Sequence, residues 1–222
     1  MVQYKLYYFN FRGYAEPARL LFALSKTPYE DVRLDFEDWA KHKNGKQYPF
    51  SFFNFIYFLE MPFEKMPVLK IDDFALPQSY AINRYLARQF GYAGKTPLEE
   101  ATVDALADLM KDFFQEAGPF YMVQRDKMAS EELEQKKKEF FDPALEKLFK
   151  YFEKYLKQSK SGFFVDSGVT WIDLFVADQL ITIESIDAKS LDGHPEILKL
   201  RDQVLAIPEI KEWIAKRPQT PF

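Results

Sequence analysis

The chain has 222 residues, 47% of them hydrophobic and 18% aromatic, enough apolar material for one large core or two modest ones, so disorder is not the starting expectation. Its 34 acidic and 30 basic side chains leave a formal charge of -4, too even for a nucleic-acid footprint or a polybasic membrane patch, and neither kind of partner is expected. The absence of cysteine excludes disulfides, thiolate metal sites and a nucleophilic sulfur supplied by the protein itself.

The start, MVQYKLYYF, runs straight into an alternating pattern without a basic head, a clean apolar core or a small-residue cleavage site, and reads as a structural strand of a cytoplasmic protein. Residues 3–9 suit that strand, Gly13 marks a turn, and Glu16 with Pro17 opens a helix over EPARLLFALSK. YEDVRLD, residues 29–35, reads as a second strand. The greasiest stretch, Phe50 to Leu59, has about half the length a helix needs to cross a bilayer. MPVLKIDDFALPQS then reads as a hairpin turning at Asp72 and Asp73, and Ser79 precedes the helical pattern YAINRYLARQF. Strand, helix, strand, hairpin and helix in that order make a small mixed sheet with helices packed on it, the order of a thioredoxin-like fold.

Gly94, Thr96 and Pro97 punctuate the chain, and helical spacing follows in ATVDALADLMKDFF, DPALEKLFKYFEKYLK and PEILKLRDQVLAI. The expected division is an α/β thioredoxin-like domain over residues 1–93 and an all-α domain over 94–222. Thr170 with Asp173 three residues on forms a helix-capping pair, a folding device rather than chemistry. His42 and His194 are too far apart to read as a metal pair, and His194-Pro195 reads as a helix start; no metal is expected.

Four segments, YYFNFRGYAEPARLLF, the pair Gln78-Ser79 following Met66-Pro67-Val68-Leu69, VTWIDLF and the ending RPQTPF, together resemble sigma-class glutathione transferases, nematode ones especially, over nearly the whole chain. That class also includes the haematopoietic prostaglandin D synthases. The resemblance implies a cytosolic detoxification enzyme, a homodimer, that takes glutathione as co-substrate and conjugates its thiolate to hydrophobic electrophiles. A free thiol has a pKa of about 8.5, and a hydrogen bond donated to the thiolate lowers it. Tyr8, at the end of the first strand, is the implied donor and catalytic residue, while Tyr7 faces the other side by alternation.

The same resemblance implies the contacts that hold glutathione. Ser79 and Gln78 stand at a helix start, where free N–H groups hold a carboxylate. Met66 and Pro67, joined by a cis bond in the resembled family, turn the Met66 backbone toward the cysteinyl unit, and Lys65 adds a charge nearby. Trp39 and Lys43, four apart, lie on one face if their stretch is helical and converge on the glycine carboxylate. Asp112 matches an acid sent across a dimer interface to the substrate's amine. Phe9, Phe11, Tyr14, Phe114 and Phe222 are the candidates for the wall that meets the second substrate.

Two departures stand out. Tyr14 occupies a position where many sigma-class proteins have arginine; Arg12 is close enough in sequence to replace that cation, although an arginine in a turn is usually solvated. Residues 45–59, rich in phenylalanine and nearly uncharged, have no counterpart in the resembled family; they read as a translated retained intron or as a hydrophobic flap near the glycine end of the site. Two other functions stay open: a glutathione-dependent isomerase of the prostaglandin D synthase type, and a ligandin- or crystallin-like binding protein.

Overall fold

Strand β1 (Tyr4–Phe9) is the spine of the N-terminal half. In the computed structural model, which describes residues 2–35, 39, 61–126 and 129–220, it lies between two neighbours of a four-stranded sheet. It pairs in parallel with β2 (Glu30–Leu34) and antiparallel with β3 (Val68–Ile71), which turns back into β4 (Phe74–Pro77), giving the order β2-β1-β3-β4. Parallel partners need a crossover, and helix α1 (Glu16–Ser25) supplies it. The hairpin turns at Asp72, whose φ of 51° is left-handed and whose carboxylate accepts the Gln3 N–H at 2.8 Å. Alternation along β1 sorts its side chains as expected. Leu6 and Tyr8 enter the main core beneath α1 and α2 (Ser79–Phe90), while Tyr7 packs on the opposite face with Met61 and Val68.

Downstream the described chain is helical: α3 (Pro97–Glu116), α4 (Gly118–Arg125), α5 (Ser130–Lys136), a π-helical turn (Lys137–Phe141), α6 (Asp142–Gln158), α7 (Trp171–Ile186), α8 (Pro195–Leu205) and α9 (Pro208–Lys216). Apolar spacing finds α3, α6 and α8. It misses α5, whose sequence SEELEQK packs only a half-buried Leu133 on the core, and the short α4 and α9. The architecture is a thioredoxin-like sheet unit followed by an all-α unit.

Helix α7 forms the centre of the second half and is buried from Trp171 through Leu180, as an apolar helix without a polar face must be. Its start is the capping box read from the sequence. The Thr170 N–H and hydroxyl donate to Asp173 at 2.7 and 2.6 Å, and the Phe164 N–H donates to the other carboxylate oxygen at 2.9 Å. Burial pushes the Asp173 carboxyl up to about 6 against the pull of those three bonds. Phe141, turned inward at the π-helical step, packs on Phe120 with ring centroids 4.8 Å apart, and burying each such ring stabilises the fold by about 2–3 kcal/mol.

His194 precedes α8 as expected, with its ring nitrogen 2.9 Å from Glu153. Lys43, His42, residues 45–59 and Phe222 lie outside the described residues. Among those described, no helix is long and apolar enough to cross a membrane.

Candidate active site

The chain leaves β1 at Phe9 and must reverse into α1 within a few residues. Arg19, one turn into α1 and fully buried, holds that reversal together. Its guanidinium donates to the carbonyl of Phe11 at 2.8 Å, to that of Phe9 at 3.4 Å, to Glu16 at 3.2 Å and to Asp31 of β2 at 3.1 Å. Five N–H groups in a planar fork allow one side chain to satisfy two backbone carbonyls and two acids at once. The turn so fixed brings the Tyr14 N–H to 3.3 Å from the Tyr8 hydroxyl oxygen, which accepts it.

Gly13 makes the approach possible. A Cβ at this position would fall 2.8 Å from the Tyr8 oxygen and 3.2 Å from two carbons of the Phe11 ring, and its φ of +42° is one that favours glycine. Tyr8 itself is 4% exposed. Burial pushes its hydroxyl up to about 12; the bond from Tyr14 and the Arg19 charge, whose carbon lies 5.9 Å from the Tyr8 ring centroid, pull the other way and lose. The phenol therefore keeps its proton at neutral pH and is a hydrogen-bond donor, not a base.

Two cavities flank this turn. One, of about 430 Å³, is lined by Lys65, Met66, Pro67, Gln78 and Ser79, together with Phe63, Lys111 and Gln115 among others. The structure thus brings five of the residues read from the sequence into one wall. The Met66-Pro67 bond is cis, and Gln78, at φ 77°, bends the chain just before α2 begins at Ser79, so the start of α2 lies in the cavity wall. Trp39 is not among the described lining residues; its backbone N–H donates to the Asp35 carbonyl at 3.1 Å, and its ring meets Phe9 edge-on at 6.2 Å. Asp112 is exposed on α3 and does not line its own chain's cavity.

The second cavity, of about 620 Å³, has Tyr8, Phe11, Gly13, Tyr121 and Ile186 in its wall. Tyr14 and Phe114 line both cavities, their rings 5.9 Å apart and edge to face, so this pair stands between them. Of the aromatic candidates, Phe11, Tyr14 and Phe114 line the space. Phe9 does not; it stacks behind Phe11 at 5.4 Å.

A cavity with Lys65, Lys111, Gln78 and a helix start in its wall, adjoining a more apolar one that holds a buried phenol, fits a charged tripeptide beside a greasy partner. Residues 111–217 match the glutathione S-transferase C-terminal domain family. Glutathione S-transferase 1 of Ascaris suum is 42% identical, with all of both chains covered. The chain belongs to the glutathione S-transferase family. The chain is a transferase. A haematopoietic prostaglandin D synthase of Gallus gallus is 39% identical over 99% of each chain. Among solved structures, a Nu-class GST from Haemonchus contortus is 43% identical, covers both chains fully and superposes with a TM-score of 0.83.

In this transferase the cation near Tyr8 is Arg19, which the sequence reading passed over. Arg12, offered there as a replacement cation or a solvated turn residue, is not solvated. It is 4% exposed and donates to Asp178 at 2.8 Å and to Thr182 at 2.8 Å, both on α7. Asp178 also accepts from Arg217 at 3.1 Å, and Arg217 and Trp213 both donate to Glu16, at 2.8 and 2.7 Å. Burial pushes the Glu16 carboxyl up, but Arg19, Arg217 and the Trp213 N–H outweigh it and hold the group below the usual range. The transferase thus anchors the turn behind Tyr8 to its central helix and to its C-terminal segment through buried, paired charges. The sequence signal was present only in part: Glu16 reads as a helix-start acid, and nothing local shows that its partner is 201 positions away.

Proposed function

We propose that this chain conjugates the thiolate of glutathione to hydrophobic electrophiles, a detoxifying reaction, in the cytoplasm and as a homodimer of the sigma class. The observation that carries the reading is the Tyr8 phenol: buried, bonded at its oxygen by the Tyr14 N–H, and set in the wall of an apolar cavity next to one that carries Lys65, Gln78 and a helix start.

A thiol with a pKa of about 8.5 is only a few per cent ionised at neutrality. A neutral phenol that donates to the sulfur favours its charged form, and a site closed to water strengthens that bond. The ionised sulfur attacks the electrophile in the apolar cavity; with an aromatic halide a carbon–sulfur bond forms and halide leaves. Ser79 and Gln78 hold the γ-glutamyl carboxylate, the Met66 backbone beside Pro67 runs along the cysteinyl unit, and Lys65, Trp39 and Lys43 take the glycine end. Asp112, exposed on α3, serves the amine bound by a second copy of the chain. Residues 1–93 carry the glutathione contacts other than Asp112, and 94–222 most of the electrophile wall.

Retention on immobilised glutathione followed by a conjugation assay with an aromatic halide tests this reading. Failure of both steps contradicts it. Sedimentation tests the dimer, and a single protomer at working concentration contradicts the role of Asp112. A second reading, isomerisation with the same thiolate left unconsumed, is supported by the 39% identity to the chicken prostaglandin D synthase; preferential turnover of prostaglandin H2 over the halide would favour it.

A further inference from the structure

Gln179 is not used by anything described so far. It sits on α7 and is 9% exposed, and its remaining surface lies in the wall of the cavity that holds Tyr8. Its side-chain amide makes no hydrogen bond to the described residues. Thr182, Ser185 and Ile186 follow at helical spacing on the same face and also line the cavity. Thr182 accepts from Arg12 at 2.8 Å and the Ser185 hydroxyl donates to the Thr182 carbonyl at 2.6 Å, so among the described residues of this face Gln179 is the polar side chain whose donor and acceptor are both open to a ligand. An amide that faces a cavity without a protein partner can bond a molecule bound there at no cost to an existing protein contact.

We propose that Gln179 is a specificity residue that donates an N–H to a substrate oxygen on which negative charge gathers, and that the cavity therefore favours conjugated carbonyl electrophiles over simple alkyl halides. The inference rests on the conjugation reading above and names the substrate class of that same site. When a thiolate adds to an enone, sulfur bonds to the β-carbon, the π pair of the C=C bond shifts toward the carbonyl, and the oxygen becomes an enolate. Water then returns a proton to the α-carbon. The apolar part of the wall, Phe11, Phe114, Tyr121 and Ile186, holds the hydrocarbon, and the amide meets the oxygen as its charge grows. In a benzyl halide the charge leaves with the halide, and no oxygen is present to be stabilised.

The test compares full-length wild type, Gln179→Leu and Gln179→Glu on benzylideneacetone and on benzyl chloride, with glutathione saturating. Leucine keeps the approximate size and removes both polar atoms; glutamate keeps an acceptor and loses the N–H. Both variants are expected to lose about ten- to a hundredfold in kcat/KM on the enone. On benzyl chloride they stay within about twofold of wild type for leucine, which also reports an intact fold. Equal losses on both substrates, or unchanged enone turnover in Gln179→Leu, overturn the role of Gln179. A wild type that conjugates neither substrate overturns the conjugation reading itself.

Discussion

Replacing Gly13 by alanine separates backbone strain from the placement of the Tyr8 hydroxyl. The new methyl carbon would lie 2.8 Å from that oxygen and 3.2 Å from two Phe11 ring carbons. The oxygen then has to retreat by roughly half an ångström to reach an ordinary contact, or the turn has to shift instead. The φ of +42° adds a conformational cost of about 1–2 kcal/mol for a residue with a side chain. Gly193 is the control: its φ is +85°, yet a Cβ there meets nothing within 4 Å. Both variants are expected to lose about 1–2 kcal/mol in urea unfolding. Only Gly13→Ala is expected to lose turnover, by about tenfold, since a displacement of 1 Å at a reacting geometry costs roughly a hundredfold. Measured kcat/KM with an aromatic halide decides. Wild-type turnover in Gly13→Ala, or an equal loss in Gly193→Ala, would refute the claim that the hydroxyl's position matters.

Asp178→Ala leaves Arg12 and Arg217 without a shared buried acceptor, and is expected to cost about 3–5 kcal/mol by urea unfolding. Adding Arg12→Met to that variant should recover part of the loss; a loss below about 1 kcal/mol for the single change would show that the charges are not paired as described. Because burial raises the Tyr8 hydroxyl to about 12, its neutral form persists well above the usual tyrosine range. The ultraviolet difference between ligand-free wild type and Tyr8→Phe should therefore show no tyrosinate up to about pH 10, where an exposed tyrosine is half ionised. Tyrosinate forming near pH 9 would contradict a phenol that acts only as a donor.

The order of the sheet unit was legible because alternation and turn chemistry are local. Tyr7 and Tyr8 part to opposite faces, Asp72 and Asp73 make the hairpin turn, and Thr170 with Asp173 caps α7, each within a few residues. Lys65, Met66, Pro67, Gln78 and Ser79 were legible through the resemblance to the glutathione transferases, and one hairpin and one helix start bring them into one cavity wall. The buried charges were not. Arg12 looks like any turn arginine until Asp178 is placed beside it, 166 positions away, and Arg19 looks like the polar side of an amphipathic helix although it is fully buried. Helix α5 was missed for the opposite reason, since a segment with a single apolar residue, Leu133, leaves no apolar period to read. Gln179 could not be singled out in an otherwise apolar run, because only the cavity next to it distinguishes it from a satisfied core amide.

The most direct measurement is the ionisation of glutathione's sulfur on the protein, followed by thiolate absorbance against pH in wild type and in Tyr8→Phe. If the Tyr8 hydroxyl donates to that sulfur, half-ionisation falls at least about one pH unit below the free thiol value in wild type and returns close to it in the phenylalanine variant. A bound thiol that ionises at its solution value, or one indifferent to the loss of the hydroxyl, would contradict it.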